Sequence, residues 1–483
     1  MATNARRQHP HLRATLLLAC LAQFMVILDV SVVNVALPAI RTGLHFSEQD
    51  LQWVVNAYTV TFAGFLLLGG RMADLIGRRI TFVGGLSLFA LASLAGGLAD
   101  SQTTLIAARA AQGLGGAVIA PASLSILTTT FTEGSARNRA VGIWGAMGGI
   151  GGAAGVLLGG LITDLLSWPW ILFINVPIGL GAALLTQRFV AEGRNPDRAG
   201  GFDLSGAITA TLGLSILVLG IVRTDVTGWG AASTLALLAA GAGLLGVFLA
   251  IEGRLAKSPL MPLRIYRSRT LTIANLVVML LGGASFGMWF FLSLYLQQVE
   301  GYSPLKAGLA FLPMTACIVA GSAFASRAVS RLGVKPLLVV GMLAEAVGLL
   351  WFTGISPGGS WLGQVLVPSL LSAIGIGLAF VPSTIAAVSG VAPEEAGLAS
   401  GLVNTSRLFG GALGLAILAA IATAQTNAAA HAASAPQALT SGFTVAFAVA
   451  AAFAAAGGLC AIAGLPRVRP RTAEPHRAAA AEA

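Results

Sequence analysis

Gly70-Arg71-Met72-Ala73-Asp74-Leu75-Ile76-Gly77-Arg78-Arg79 is a short charged interruption between two apolar runs, 51–70 and 80–99. Its glycines permit a tight turn, and its Asp and Arg residues can lock that turn or cap the adjoining helix ends. Each flanking run holds about 20 residues, enough to cross a hydrocarbon core of about 30 Å at about 1.5 Å per helical residue. If the unit of apolar run, charged loop and apolar run recurs along the chain, the fold is a bundle of membrane-spanning helices.

It does recur. Fourteen spans are predicted, at 14–36, 51–70, 80–99, 104–129, 140–162, 170–190, 204–222, 232–252, 271–295, 305–326, 336–354, 362–385, 398–423 and 441–464. The polarity does not alternate every second residue, which excludes a barrel and leaves an all-α polytopic membrane protein. Bulk composition agrees. With 56% hydrophobic residues, 10% charged residues and a mean hydropathy of +0.85, the 483 residues carry more apolar surface than a water-soluble fold can hide.

Charge tests the count independently. With the N-terminus cytoplasmic, 23 of the 28 Lys and Arg fall inside, and only Arg41, Arg223 and Lys306 fall outside. A missed span would invert every later loop and scramble this bias. Both termini are therefore expected in the cytoplasm, in a bacterial inner membrane. The net charge of +10 then reflects topology and anionic headgroups, not nucleic-acid binding.

Several chemistries are excluded by absence. None of the three lysines follows a glycine, so the Gly-Lys-Ser/Thr of a phosphate-binding loop is missing. Cys20, Cys317 and Cys460 sit singly in separate spans, and the five histidines lie in tails or loops without metal-ligand spacing. No cofactor, metal or enzymatic activity is expected.

Four charges lie inside spans, namely Asp29, Arg109, Glu345 and Arg407. Each costs roughly 2.5–3.5 kcal/mol at a helix centre on insertion scales, so each points to function. By residue count, Asp29 and Arg109 lie at similar depths in spans 1 and 4 and are able to meet. A carboxylate in apolar surroundings can carry a proton, and a permanently charged Arg beside it can drive that proton off. The plainer reading is a fixed ion pair that orients two helices. Glu345 is a second candidate for proton coupling. For Arg407, packing and a place in the substrate cavity weigh equally. Gln23, Asn34, Asn56, Tyr58 and Gln112 are further cavity candidates.

The loop quoted above resembles a signature of the major facilitator superfamily, Gly-x-x-x-Asp-Arg-x-Gly-Arg-Arg. Gly70, Asp74, Gly77, Arg78 and Arg79 match it, with Leu75 where the family carries Arg. Further strings are similar to the fourteen-span drug:proton antiporter branch. Leu28-Asp29-Val30-Ser31-Val32-Val33-Asn34-Val35-Ala36-Leu37-Pro38 resembles its first-span signature, with Ser31 in place of Thr. Arg109-Ala110-Ala111-Gln112-Gly113-Leu114-Gly115-Gly116-Ala117 resembles the fourth-span motif whose Arg is implicated in proton coupling. Trp168-Pro169-Trp170-Ile171-Leu172-Phe173-Ile174-Asn175-Val176-Pro177 is also similar, with Pro169 in place of Arg. In span 5, Gly151, Gly155, Gly159 and Gly160 match the antiporter motif, but Val156 replaces its proline and removes the kink that ring would impose. Read by spacing alone, Gly148, Gly152, Gly155 and Gly159 share a helix face suited to close packing.

This resemblance implies a major facilitator fold of two six-helix bundles, at 14–190 and 271–464, with helices 7 and 8 inserted at 191–270. A cytoplasmic segment at 1–13 and a disordered tail at 465–483 complete the chain. Ser326-Arg327-Ala328-Val329-Ser330-Arg331-Leu332-Gly333-Val334-Lys335 looks like a degenerate copy of the loop at 70–79, as an internal repeat requires. The implied function is proton-coupled export of amphipathic or cationic compounds by a monomer. Its partners are protons, a small-molecule substrate and the bilayer. Two alternatives stay open: a narrow transporter of one metabolite, and a membrane sensor that transports nothing.

Overall fold

Side-chain caps mark where the helices begin. Ser47, Ser101, Ser268 and Ser303 each accept a hydrogen bond from the backbone amide three residues on, which satisfies one of the free N–H groups of a first turn. In the computed structural model, which describes residues 12–131, 135–192, 203–256, 259–261, 263–389, 396–430 and 433–466, these caps delimit a chain of long helices. The first six are α1 (Leu12–Leu44), α2 (Glu48–Leu75), α3 (Arg78–Gly97), α4 (Gln102–Thr130), α5 (Ser135–Leu165) and α6 (Trp170–Phe189). Then come α7 (Leu204–Val222) and α8 (Ala232–Ala250), followed by α9 (Arg269–Leu294), α10 (Pro304–Leu332) and α11 (Val334–Trp351). The last three are α12 (Val367–Ser389), α13 (Ala396–Ala429) and α14 (Ala435–Gly464). Thirteen of these are long and apolar enough to cross a membrane by length and composition. The remaining one, α2, carries buried Gln52, Asn56, Tyr58 and Thr59 and packs on α4. The expected terminal segments fall almost wholly outside the described residues.

Helices α1 to α6 form one bundle and α9 to α14 the other. In the first, α1 packs on α5 and α4 on both α2 and α3; in the second, α9 packs on α13 and α12 on both α10 and α11. The inserted pair stands beside them, α8 packing on α7 and α7 lying against α2 and α13. The internal repeat is visible in the backbone. Gly77 and Gly333 immediately precede α3 and α11 with φ of 127° and 84°, conformations that side chains rarely adopt.

The bundles touch each other toward the face where α1 ends. There Ser293 Oγ donates to Asn34 O at 2.7 Å, Gln297 Nε2 to Val35 O at 2.8 Å, and Arg41 Nη1 to Gln298 Oε1 at 2.7 Å. On the same side α5 meets α10 so closely that a Cβ on Gly160 would lie 2.6 Å from Pro304 O. Toward the opposite face, a Cβ on Gly142, Gly145 or Gly148 of α5 would meet nothing within 4 Å.

Span 5 is one continuous helix, in keeping with Val156 in place of proline. Its packing seam follows the motif glycines, and of the set grouped by spacing only Gly155 and Gly159 belong to it. A Cβ on Gly151 would lie 3.0 Å from Phe24 O, on Gly155 2.6 Å from Ser31 Cβ, and on Gly159 2.9 Å from Val32 O. Gly148 and Gly152 face open space instead. Spacing alone leaves the helix rotation undetermined, and contact with α1 fixes it on the Gly151, Gly155 and Gly159 side.

Candidate functional site

Asp29 sits near the middle of α1, where its side chain is enclosed by α2, α4 and α6. The elements approach closely because α4 is poor in bulk on that side: a Cβ on Gly113 would lie 2.3 Å from Tyr58 O. Arg109, about two turns into α4, therefore reaches across. Its Nη1 donates to Asp29 Oδ2 at 2.5 Å and to Gln112 Oε1 at 2.9 Å, and its Nε to Val54 O at 2.9 Å. Gln112 Nε2 donates to Asp29 Oδ1 at 3.0 Å and to Ser93 Oγ at 2.7 Å. Asn175 Nδ2 donates to Asp29 Oδ1 at 2.9 Å. The guanidinium lies 4.6 Å from the centre of the Tyr58 ring, a cation–π contact.

Burial gives this cluster its weight. Asp29, Gln112, Asn175 and Ser93 are 0% exposed, and Arg109 and Tyr58 are 2% exposed. A buried ion pair is tolerable only when hydrogen bonds satisfy both partners, and losing one partner costs about 3–5 kcal/mol. The Asp29 carboxylate has donors on both oxygens, so the paired state is well supported. The Tyr58 hydroxyl has no hydrogen-bond partner. Tyr58 and Gln112, expected to line a substrate cavity, belong to the Asp29 cluster.

Glu345 lies elsewhere, on α11 in the second bundle. It is 0% exposed, accepts from Ser285 Oγ at 2.8 Å through Oε1, and leaves Oε2 without a donor. Its charge is thus unmatched among the described residues, whereas that of Asp29 is matched. Arg407 joins neither carboxylate. Its Nη2 donates to Asn404 Oδ1 at 2.8 Å, and its guanidinium lies 5.7 Å from the centre of the Phe380 ring.

Other cavity candidates hold local bonds. Asn34 Nδ2 donates to Val30 O at 2.8 Å, and Asn56 Nδ2 to Gln52 Oε1 at 3.3 Å. Asn56 Oδ1 and Gln23 Oε1 are buried without partners. In the loop at 70–79, a Cβ on Gly70 would make ordinary contact with Pro121 at 3.6 Å. The Asp74 side chain lies outside the described residues. What the structure shows on that loop is Glu192, beyond α6. It accepts from the amides of Arg79 at 3.2 Å and Ile80 at 3.3 Å, and lies 3.6 Å from Arg79 Nε. An anion at a helix N-terminus satisfies amides that have no partner within the helix.

The chain has two helical bundles and a buried ion pair between two spans, and the family model that matches it is Major Facilitator Superfamily, over residues 19–415. The chain belongs to the Major Facilitator Superfamily. It is a multi-pass membrane transporter and not an enzyme. Among related proteins of this superfamily is the cephamycin export protein CmcT of Amycolatopsis lactamdurans, 45% identical over 84% of this chain and 84% of that protein. The puromycin resistance protein pur8 of Streptomyces alboniger is 40% identical over 83% of this chain and 80% of its own. Among solved structures, a bacterial homologue of the human lysosomal transporter Spinster, inward-facing and unoccupied, superposes with a TM-score of 0.67. It covers 95% of this chain and 99% of its own, at 16% identity, and so speaks for the fold alone.

Within this major facilitator fold, sequence reasoning missed Asn175, Ser93 and Glu192 as members of sites. A signal existed for Asn175, an amide set in an otherwise apolar string. Ser93 and Glu192 carried none, because a serine in a helix bonds readily to its own backbone and a loop glutamate is ordinarily solvated.

Proposed function

We propose that this protein is a proton-coupled antiporter that exports small amphipathic or cationic compounds, antibiotics among them, across a bacterial inner membrane. The similarity to antibiotic export and resistance proteins supports the substrate class. The observation that carries the coupling is the Asp29, Arg109, Gln112 and Asn175 cluster, a proton-accepting carboxylate held against a fixed cation between α1, α4 and α6.

With both termini cytoplasmic, contacts between the bundles close the outer side, and the open glycines of α5 face the cytoplasm. The bundles, at 14–190 and 271–464, rock about this arrangement while the inserted segment 191–270 stays beside the seam. A proton entering from outside neutralises Asp29 or Glu345, and its release inward is coupled to substrate leaving outward. Neutralising Asp29 releases Arg109, Gln112 and Asn175 from their shared acceptor and so loosens α1 from α4 and α6. The membrane potential adds about 2.3 kcal/mol per charge per 100 mV. The transporter works as a monomer.

The test is uptake by inverted vesicles energised with a proton gradient, with puromycin and a fluorescent cation as probes. Asp29→Asn is expected to abolish gradient-driven uptake while leaving the protein in the membrane. Unchanged uptake in that variant would refute the proton role.

A further inference from the structure

Two arginines stand well inside spans, and the fold treats them differently. Arg109 donates to Asp29, Gln112 and Val54 O, so its charge and its donors are matched from within the protein. Arg407 has one acceptor among the described residues, Asn404 Oδ1 at 2.8 Å, and its Nε is buried with no partner. Neither Asp29 nor Glu345 pairs with it. A guanidinium carries five N–H donors in a planar fork and does not lose its proton. Arg407 is therefore a permanent positive charge that the chain itself leaves short of acceptors.

Its place is the seam between the bundles. Asn404, Arg407 and Leu408 are three and four residues apart and share a face of α13. Leu408 is buried in the apolar cluster of the first bundle, which includes Phe62 of α2, so this face looks across at the other bundle and not at lipid. Arg407 itself is only partly buried, and the Phe380 ring of α12, 5.7 Å from the guanidinium, is 41% exposed. Depth agrees with an opening here. Arg407 stands eleven residues into α13, about 16 Å, and Gly148, whose Cβ would meet nothing within 4 Å, thirteen residues into α5, about 20 Å. A charged side chain at such depth faces a bundle interior or a water-filled cavity.

A residue that served only to pack helices would have its fork filled, as Arg109 has. Arg407 is held by a single side-chain bond, so the guanidinium can turn and present two parallel N–H groups to a planar group with two oxygens. Such a pairing with a carboxylate is among the strongest hydrogen-bonded contacts, and a cation in the same place meets only repulsion. The exposed Phe380 ring offers an apolar surface beside the charge, where a flat body can lie.

We propose that Arg407 sets the charge preference of the substrate site, and that the compounds this protein favours are amphipathic acids, with the carboxylate received by Arg407 and the apolar body against Phe380. The inference rests on the export reading and narrows its substrate class. The phosphate of an acidic lipid offers similar oxygens, so the two sources must be separated by experiment.

Equilibrium binding to the full chain in phosphatidylcholine nanodiscs tests this, with no gradient applied. Radiolabelled 1-naphthylacetate is the probe, and unlabelled 1-naphthylacetamide and 2-(1-naphthyl)ethylamine are its neutral and cationic competitors. The wild type is expected to bind the acid at least tenfold more tightly than the amide, and the amine most weakly. Arg407→Gln is expected to bring the acid down to the affinity of the amide, which itself stays unchanged. Arg407→Lys keeps a charge but not the fork, and should lower the preference for the acid at least threefold. Replacing a fifth of the lipid by phosphatidylglycerol should leave the acid's affinity as it was. The proposal is overturned if the wild type does not bind the acid or binds amide or amine as well, if Arg407→Gln keeps the tenfold preference, or if phosphatidylglycerol displaces the acid. Should Arg407→Gln not fold, Arg407→Lys decides by the same measurement. Failure here would leave gradient-driven uptake of puromycin by inverted vesicles intact, whereas failure of the export reading would leave the binding order intact.

Discussion

Asn175 Nδ2 donates to Asp29 Oδ1 at 2.9 Å, from a position in α6 that lies 146 residues further along the chain. The bond ties α6 to a carboxylate that α4 already holds through Arg109 and Gln112. A hydrogen bond to a charged group contributes about 1.5–3 kcal/mol. Asn175→Leu is therefore expected to slow gradient-driven export by about tenfold or more, since 1.4 kcal/mol is a factor of about ten. Rates in inverted vesicles, corrected for protein amount, check this, and an unaffected rate would remove Asn175 from the coupling machinery.

Arg109 makes three hydrogen bonds at once, to Asp29, Gln112 and Val54 O. A lysine is a single point charge without the fork that serves them together. Arg109→Lys should lose most transport. Arg109→Ala should also lower the melting temperature, because Asp29 would stay buried without its cation at a cost of about 3–5 kcal/mol. The double variant Asp29→Asn with Arg109→Gln is expected to regain stability and not transport, which separates the structural share of the pair from the functional one.

The α1–α5 seam predicts a contrast between neighbouring glycines. Gly155→Ala places a methyl 2.6 Å from Ser31 Cβ and should destabilise by about 1–3 kcal/mol, the usual cost of overpacking. Gly148→Ala meets nothing within 4 Å and should leave stability unchanged or slightly raised. Thermal unfolding in detergent, followed by fluorescence, compares the two. Equal effects would mean that the seam runs along the other glycine face.

At the loop between α2 and α3, Gly77 has φ of 127°, and a Cβ there would lie 2.5 Å from Glu192 Oε1. Gly77→Ala is expected to cost about 1–3 kcal/mol through backbone strain alone. Glu192→Gln keeps an acceptor for the Arg79 and Ile80 amides but removes the charge. It should cost much less, with an effect that shrinks as salt is raised. Melting temperatures at low and high ionic strength test both expectations.

Much of this arrangement was legible before any coordinates. The apolar runs fixed the number of long helices, because a span must satisfy its backbone internally and must be about 20 residues long. The glycines of the loop motif were read as permitting a tight turn, and Gly77, like Gly333 in the degenerate copy, stands there with positive φ. That Asp29 and Arg109 lie at similar depth and are able to meet followed from position along two spans, since helical rise converts residue number into height.

Rotation about each helix axis and the choice of neighbours were decided only by the tertiary structure. Height along a span says nothing about which way a side chain turns. Sequence reasoning therefore offered two overlapping glycine sets on α5 without choosing between them by rotation, named Tyr58 and Gln112 only as cavity candidates, and gave Asn175, Ser93 and Glu192 no role. Composition and spacing act one helix at a time, so they determined the membrane fold and the depth of its charges; which groups meet depends on contacts between helices far apart in sequence, and that the fold alone decided.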